Sequence, residues 1–71
     1  MDHSALLTEL GIRIKKIRLS KAMTQNQLAS NCDFEKSSMS KIESGQVNLS
    51  FITLFRISKG LDIHIKELFP D

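Results

Sequence analysis

MTQNQLASNC at residues 23–32 and SMSKIESG at residues 38–45 predict two short helices that meet at a tight turn. The first begins with a capping box formed by Thr24 and Gln27, in which a hydroxyl and an amide each satisfy a free backbone N–H group. Ala29 supplies the small side chain that is needed where two helices cross closely. These features predict a packed helix pair in the middle of the chain.

The second helix of this pair has one apolar and one polar face. Met39 and Ile42 lie three residues apart and are predicted to face the core, while Gly45 is typical of a left-handed residue that ends a helix. The opposite face is short and basic and contains no large apolar residue; it comprises Lys36, Ser37, Ser40, Lys41 and Ser44. We therefore predict that this face is exposed.

From Gly11 to Phe69 the chain resembles the Cro/Xre-type helix-turn-helix domain that phage repressors and restriction–modification controller proteins share. Within that family, the stretch from Arg13 to Leu61 looks most like the controller proteins. It implies an all-α, compact, five-helix, lambda-repressor-like fold that binds DNA, with the helix-turn-helix at about residues 24–44. The motifs that carry it, with the family's spacing, are Arg13-Ile14-Lys15-Lys16-Ile17-Arg18, Thr24-Gln25-x-x-Leu28-Ala29, Met39-Ser40-x-Ile42-Glu43-x-Gly45 and Thr53-Leu54-x-x-Ile57.

The whole chain, residues 1–71, is predicted to form one domain without strands. Ser50 is expected to cap the fourth helix and Gly60 to end it. With 71 residues and a net charge of +2, a domain of this size buries only about 60% of its unfolded surface, so dimerisation would add stability. The five predicted helices span about residues 4–21, 25–31, 36–43, 51–59 and 64–69.

The polar face of the second motif helix is the predicted DNA-reading surface. A helix fits the major groove of B-DNA, where Lys donates to guanine and Ser serves either base type. The start of the first motif helix, at Gln25, presents free N–H groups that suit a backbone phosphate. The resemblance implies base contacts from Lys36, Ser37 and Lys41, although Lys41 equally suits a phosphate, and phosphate contacts from Gln25, Ser38, Asn48 and Ser50.

The turn between the motif helices departs from the family pattern. Asp33 stands where the family usually has Gly, and Glu35 and His64 stand where it has good N-cap residues. If Asp33 caps the recognition helix instead, that helix begins a residue or two away from Lys36. The sequence therefore leaves open whether Lys36 or Ser37 makes the deeper contact.

Arg18 and Glu43 match an ion pair that ties the first helix of the family fold to the end of its recognition helix. The resemblance implies the same pair here, the alternative being two independent surface charges.

Two other residue patterns carry no site. Cys32, His3 and His64 lack the spacing of metal ligands, so Cys32 is expected to be a core thiol. Ser38 and Lys41 match the Ser-x-x-Lys string of penicillin-binding enzymes, but no companion motif accompanies them. We predict no enzyme activity, no metal or other cofactor and no small-molecule ligand.

The C-terminal quarter is predicted to form the homodimer interface through Ile63, Ile65, Leu68 and Phe69. These residues supply more apolar surface than one short helix needs to dock on its own domain. Related repressors pair through this region.

The sequence thus predicts a homodimeric transcriptional regulator on a near-palindromic operator in double-stranded DNA. It would repress by occluding a promoter; activation would require a surface for polymerase. The alternatives are an antitoxin-type or other regulator whose main partner is a protein, and a module that only dimerises. Neither a signal peptide nor a membrane span is predicted, which favours the cytoplasm.

Overall fold

The computed structural model describes residues 3–69 and contains four α-helices followed by a single 3₁₀ turn. The predicted all-α fold is confirmed, and no strand occurs within the described range. The fifth predicted helix, at residues 64–69, is instead the 3₁₀ turn Ile65–Leu68. The α-helices are α1 (Ser4–Ser20), α2 (Gln25–Cys32), α3 (Lys36–Glu43) and α4 (Phe51–Leu61).

Side-chain caps fix the starts of α2 and α4. The Thr24 hydroxyl accepts from the Gln27 N–H at 3.0 Å, and the Gln27 side-chain oxygen accepts from the Thr24 N–H at 2.8 Å. The Ser50 hydroxyl accepts from the Thr53 N–H at 3.1 Å. Both predicted caps are therefore confirmed. Glu35 precedes α3 and makes no side-chain cap hydrogen bond.

A residue in the left-handed region is the C-cap of α2 and of α4 and directly follows the C-cap of α1 and of α3, and three of these four residues are not glycine. Gly45, with φ of +73°, ends α3 as predicted. The prediction for α4 is wrong, because the helix continues through Gly60 to Leu61 and Asp62 is its C-cap. The four left-handed residues are Ala22, Asp33, Gly45 and Asp62.

The turn between α2 and α3 comprises residues 33–35. Asp33 adopts φ of +59° and ends α2 rather than capping the next helix. The Phe34 N–H donates to the Ala29 carbonyl at 2.8 Å, which closes the end of α2. The start of α3 at Lys36 is therefore not shifted.

Two glycines allow the helices to cross closely. A Cβ atom on Gly60 would lie 2.5 Å from the Cys32 sulfur and 3.2 Å from Leu28 Cδ1. A Cβ atom on Gly11 would lie 2.5 Å from the Glu43 carbonyl oxygen. Gly60 thus serves the packing of α4 on α2, and Gly11 serves the packing of α1 on the end of α3.

All four α-helices and the 3₁₀ turn contribute to one apolar core. Leu68 in the 3₁₀ turn is fully buried there, so the predicted interface residue Leu68 is a core residue of its own chain. No helix within residues 3–69 combines the length and hydropathy that crossing a membrane requires. The buried apolar residues are Leu10, Ile14, Leu28, Ala29, Cys32, Met39, Ile42, Leu54, Ile57, Leu61 and Leu68.

Replacing Ala22 by glycine should raise the free energy of unfolding by about 0.5–1 kcal/mol. The left-handed conformation costs an alanine roughly 1–2 kcal/mol, and part of the relief is lost to the larger entropy of glycine in the unfolded chain. Urea denaturation measures the change. Ala5→Gly, at an exposed helical position, is the control and should not stabilise the protein. Equal effects at the two positions would contradict this account of Ala22.

Candidate nucleic-acid interface

The exposed side of α3 carries only cations and hydroxyls. Its five exposed residues are lysines or serines, whereas Met39, Ile42 and Glu43 are buried. This face offers hydrogen-bond donors and positive charge without an apolar obstacle, which suits the edges of base pairs in a major groove. The exposed residues are Lys36, Ser37, Ser38, Ser40 and Lys41.

The two lysines of α3 lie in different surroundings. Lys36 borders a shallow depression together with Gln25 and Lys15. Lys41 lies five residues later, on the side of α3 that faces the loop before α4, and borders a cavity of about 370 Å³. The predicted base contacts therefore extend across the face of α3 instead of meeting at one point.

The cavity beside Lys41 brings together three of the predicted DNA contacts, namely Lys41, Ser38 and Asn48. Its polar rim also includes Thr53, and its remaining lining residues are apolar: Phe34, Ile42, Val47 and Leu49. Ser50 follows this loop and caps α4. The loop and the start of α4 thus form a polar edge on one side of α3.

A buried network lies at the other end of α3. Arg18 Nε lies 2.7 Å from Glu43 Oε2, and Arg18 Nη2 lies 3.1 Å from Glu43 Oε1. Arg18 Nη1 also donates to the Met23 carbonyl oxygen at 2.7 Å. The two residues are only 6% and 7% exposed. The structure thus contains the ion pair that the resemblance implies, and it is buried.

Gln25 joins this network, which sequence reasoning missed. Its Nε2 donates to Glu43 Oε1 at 3.0 Å, so the amide is held at the first residue of α2. The free N–H groups of a helix start carry partial positive charge. Gln25 therefore lies, with a fixed orientation, at a position suited to an anionic group.

Lys15 is a further cation beside this network. It borders a small cavity of about 270 Å³ with Gln25, Glu43, Ser40 and Ser44. Lys15 and Lys36 both border the depression at the start of α2, so both bring positive charge to it. The sequence shows a run of basic residues in α1. Lys15 lies three residues before Arg18, which places both on one side of the helix, and only this spacing indicates that Lys15 faces α2.

The C-terminal face consists of four partly exposed apolar residues: Phe55, Ile63, Ile65 and Phe69. The predicted interface residues Ile63 and Ile65 are half-buried, and Phe69 is 46% exposed. Phe55 is 44% exposed and, with Ile63 and Ile65, lines a groove of about 540 Å³. Phe55 was not assigned to this face from the sequence, although Phe51 and Phe55 share the spacing of one helix side.

Cys32 is the core thiol that its position predicts. The residue is 3% exposed, and its sulfur donates to the Arg56 carbonyl oxygen at 3.5 Å. Burial raises the pKa of the Cys32 thiol, and the charge of Arg56 opposes that effect. Across the described part of the chain, no three His, Cys, Asp or Glu residues cluster as metal ligands would.

Comparisons with known proteins agree with this geometry. Residues 14–68 match the family described as Helix-turn-helix. Control protein C.MunI from Mycoplasma sp is 39% identical over 62 residues, which cover 86% of this chain and 84% of that protein.

Two solved structures share the fold. The crystal structure of the restriction-modification controller protein C.AhdI from Aeromonas hydrophila matches with a TM-score of 0.89 and 32% identity, covering 92% of this chain and 98% of that one. The controller protein C.Esp1396I, as a tetramer in complex with its natural 35 base-pair operator, matches with a TM-score of 0.80 and 38% identity. That match covers 89% of this chain and 93% of the other.

Proposed function

The chain belongs to the helix-turn-helix family of DNA-binding transcriptional regulators, and we propose that it is a restriction–modification controller protein that binds a near-palindromic operator as a homodimer. The observation that carries the proposal is the exposed side of α3, composed only of lysine and serine. Members of this family are not enzymes, and neither is this chain. The relative C.Esp1396I is bound to its own operator, which supports DNA as the partner here.

The proposed base contacts are made by Lys36, Ser37 and Lys41. Lysine donates to guanine O6 and N7, and a serine hydroxyl serves as donor or acceptor. All three side chains are exposed on a helix whose opposite side is buried, so α3 can enter a major groove without rearrangement. Because α3 begins at Lys36, both Lys36 and Ser37 lie in its first turn.

Phosphate contacts flank the reading helix on both sides. On one side, Gln25 is oriented by Glu43 at the start of α2, and we add Lys15 as a cation next to it. On the other side lie Ser38, Asn48 and Ser50. The Ser50 oxygen accepts from the Thr53 N–H and lies 3.0 Å from the Thr53 hydroxyl oxygen. When the Thr53 hydroxyl is the donor of that pair, the Ser50 proton can donate to a phosphate.

The effect of the bound protein on transcription depends on where the operator lies relative to the promoter. A dimer that covers a promoter excludes polymerase, so repression needs no surface beyond the one that binds DNA. We therefore propose repression by occlusion as the basic activity.

Lys36→Ala and Lys41→Ala should each weaken operator binding by about 1–3 kcal/mol and relax the preference at one base pair per half-site. The operator is obtained by selecting fragments from random duplex oligonucleotides with the native protein. Competition against a panel of single-base operator variants then measures both effects.

Lys16→Ala is the control for loss of one charge. Lys16 is exposed and lies two residues before the buried Arg18, hence on the opposite side of α1. A loss that is equal for all DNA sequences would make the altered lysine a phosphate contact. If both lysine variants of α3 bind like the control, α3 is not the reading helix.

A further inference from the structure

The two ends of α3 are held by different contacts. Its last residue, Glu43, is fixed by Arg18 in the buried ion pair. Its first residues, Lys36 and Ser37, follow Glu35, whose side chain makes no cap hydrogen bond. The end of α3 that carries two of the proposed base contacts is therefore positioned by the turn that precedes it and by the burial of Met39 in the core.

Arg56 of α4 holds this turn from outside. Its Nη2 donates to the Cys32 carbonyl oxygen at 2.7 Å, which is one of the carbonyls that the end of α2 leaves without a helical partner. Its guanidinium carbon lies 4.6 Å from the centre of the Phe34 ring, a distance at which the cation is attracted to the ring. One planar side chain thus contacts both the end of α2 and the turn.

Phe34 connects this contact to the recognition helix. The Phe34 ring packs against the core and lines the cavity that Ser38 and Lys41 of α3 also line. Asp33, directly before it, adopts a left-handed conformation that is unfavourable for a residue other than glycine. A turn with such a residue has alternative conformations of lower backbone energy. The contact between Arg56 and the Phe34 ring stabilises the observed conformation against them.

We infer that Arg56 is a positioning residue for DNA reading: its contacts with Cys32 and Phe34 set the angle at which the start of α3 is presented to the major groove. The inference rests on the proposed function, because it assumes that Lys36 and Ser37 read bases. It also gives α4 two roles. Phe55 faces the groove of the C-terminal face, and the adjacent Arg56 holds the turn.

The first test compares operator binding with binding to unrelated duplex DNA. Arg56→Met should lower affinity for the selected operator about tenfold more than Lys16→Met does, an effect like that of one mismatched base pair. Affinity for unrelated DNA should fall equally in both variants, since each loses one charge. Arg56→Lys keeps the charge without the planar fork and should recover affinity for unrelated DNA but not for the operator.

A double-mutant cycle of Arg56 with Phe34 tests whether their contact causes the change in operator preference. Phe34→Leu should also reduce operator preference, and adding Arg56→Met to it should cause a smaller loss than Arg56→Met causes alone, because both variants remove the cation–ring contact and only Arg56→Met removes the hydrogen bond to Cys32. Strictly additive losses would contradict the proposed link.

The second test needs no DNA. In Arg56→Met, amide hydrogen exchange should accelerate at residues 39–42, whose N–H groups donate to the carbonyls of residues 35–38 in the first turns of α3, while the amides of Ile57 and Leu61 in α4 keep their protection. Unchanged exchange at the start of α3 would overturn the inference. So would an equal loss of affinity for operator and unrelated DNA beyond the loss of Lys16→Met, which would make Arg56 a direct phosphate contact. If selection yields no preferred sequence, the proposed function fails, and the exchange experiment still decides the role of Arg56.

Discussion

Replacing Arg18 by methionine should lower the free energy of unfolding by about 3–5 kcal/mol, because it leaves the Glu43 carboxylate buried without its cation. Both side chains are almost completely enclosed, at 7% and 3% exposure. The Met23 carbonyl would also lose the donor that Arg18 supplies at 2.7 Å. Since small domains have only about 5–15 kcal/mol of stability, the variant should melt at a much lower temperature.

Adding Glu43→Leu to Arg18→Met should recover part of that loss. The double variant contains no unpaired buried charge, and leucine fills much of the space that the carboxylate chain occupied. Thermal melting of the native protein, both single variants and the double variant measures the coupling free energy. Arg13→Met is the matched control, since Arg13 lies on the same helix but is exposed and donates to the Glu67 carbonyl; it should cost about 1 kcal/mol or less.

If the losses in free energy of unfolding caused by the two single changes simply add in the double variant, the ion pair does not contribute to the stability of the fold. A positive coupling would also bear on DNA binding, because Glu43 accepts from Gln25. The double variant is expected to fold but to leave the Gln25 amide without its Glu43 acceptor. Stability and phosphate contact are therefore linked through one carboxylate.

Helix starts could be predicted because their causes are local. Thr24 and Ser50 each hydrogen-bond to an N–H group three residues away, so both caps are visible in a short stretch of sequence. Helix ends were harder to predict from the sequence. Gly60 looks like a terminator, yet it is needed where α4 approaches Cys32, a contact between residues far apart in the chain.

The same distinction applies to the candidate site. The basic face of α3 follows from helical periodicity, so four of its five exposed residues could be predicted as one face. Ser38 is also exposed there, and the predicted Ser44 lies just beyond the helix. The hydrogen bond from Gln25 to Glu43 depends on how two helices cross, and nothing in the local sequence indicates it. The exposure of Phe55 and the burial of Leu68 likewise depend on how the 3₁₀ turn docks on the core.

The C-terminal face is the proposed homodimer interface, and Phe55→Asp should convert the protein to a folded monomer. Phe55 is 44% exposed, so the charge should be tolerated in an isolated chain and excluded from an apolar interface. In a two-fold dimer the same residues meet on both subunits, so one substitution places two like charges in the contact. Phe69→Asp, at 46% exposure, should act in the same way.

Loss of the dimer should weaken operator binding by about 10²–10⁴-fold, because the second half-site is then no longer bound within the same complex. The dimer is expected to present its two recognition helices about 34 Å apart, and hence half-sites with centres about 10 base pairs apart. Ile12→Asp is the matched control. Ile12 is an apolar residue of α1 that is 52% exposed and lies outside the C-terminal face, so this variant should remain a dimer.

Three measurements together decide between a monomeric and a dimeric regulator. Sedimentation equilibrium gives the mass of each variant, and circular dichroism separates a folded monomer from an unfolded chain. The dependence of binding on salt counts the phosphates contacted, so its slope should be about twice as steep for the native protein as for Phe55→Asp. A native protein that sediments as a monomer at concentrations saturating the operator, with a footprint of one half-site, would contradict the dimer. The reading role of α3 would be unaffected, because Lys36, Ser37 and Lys41 are exposed within a single chain.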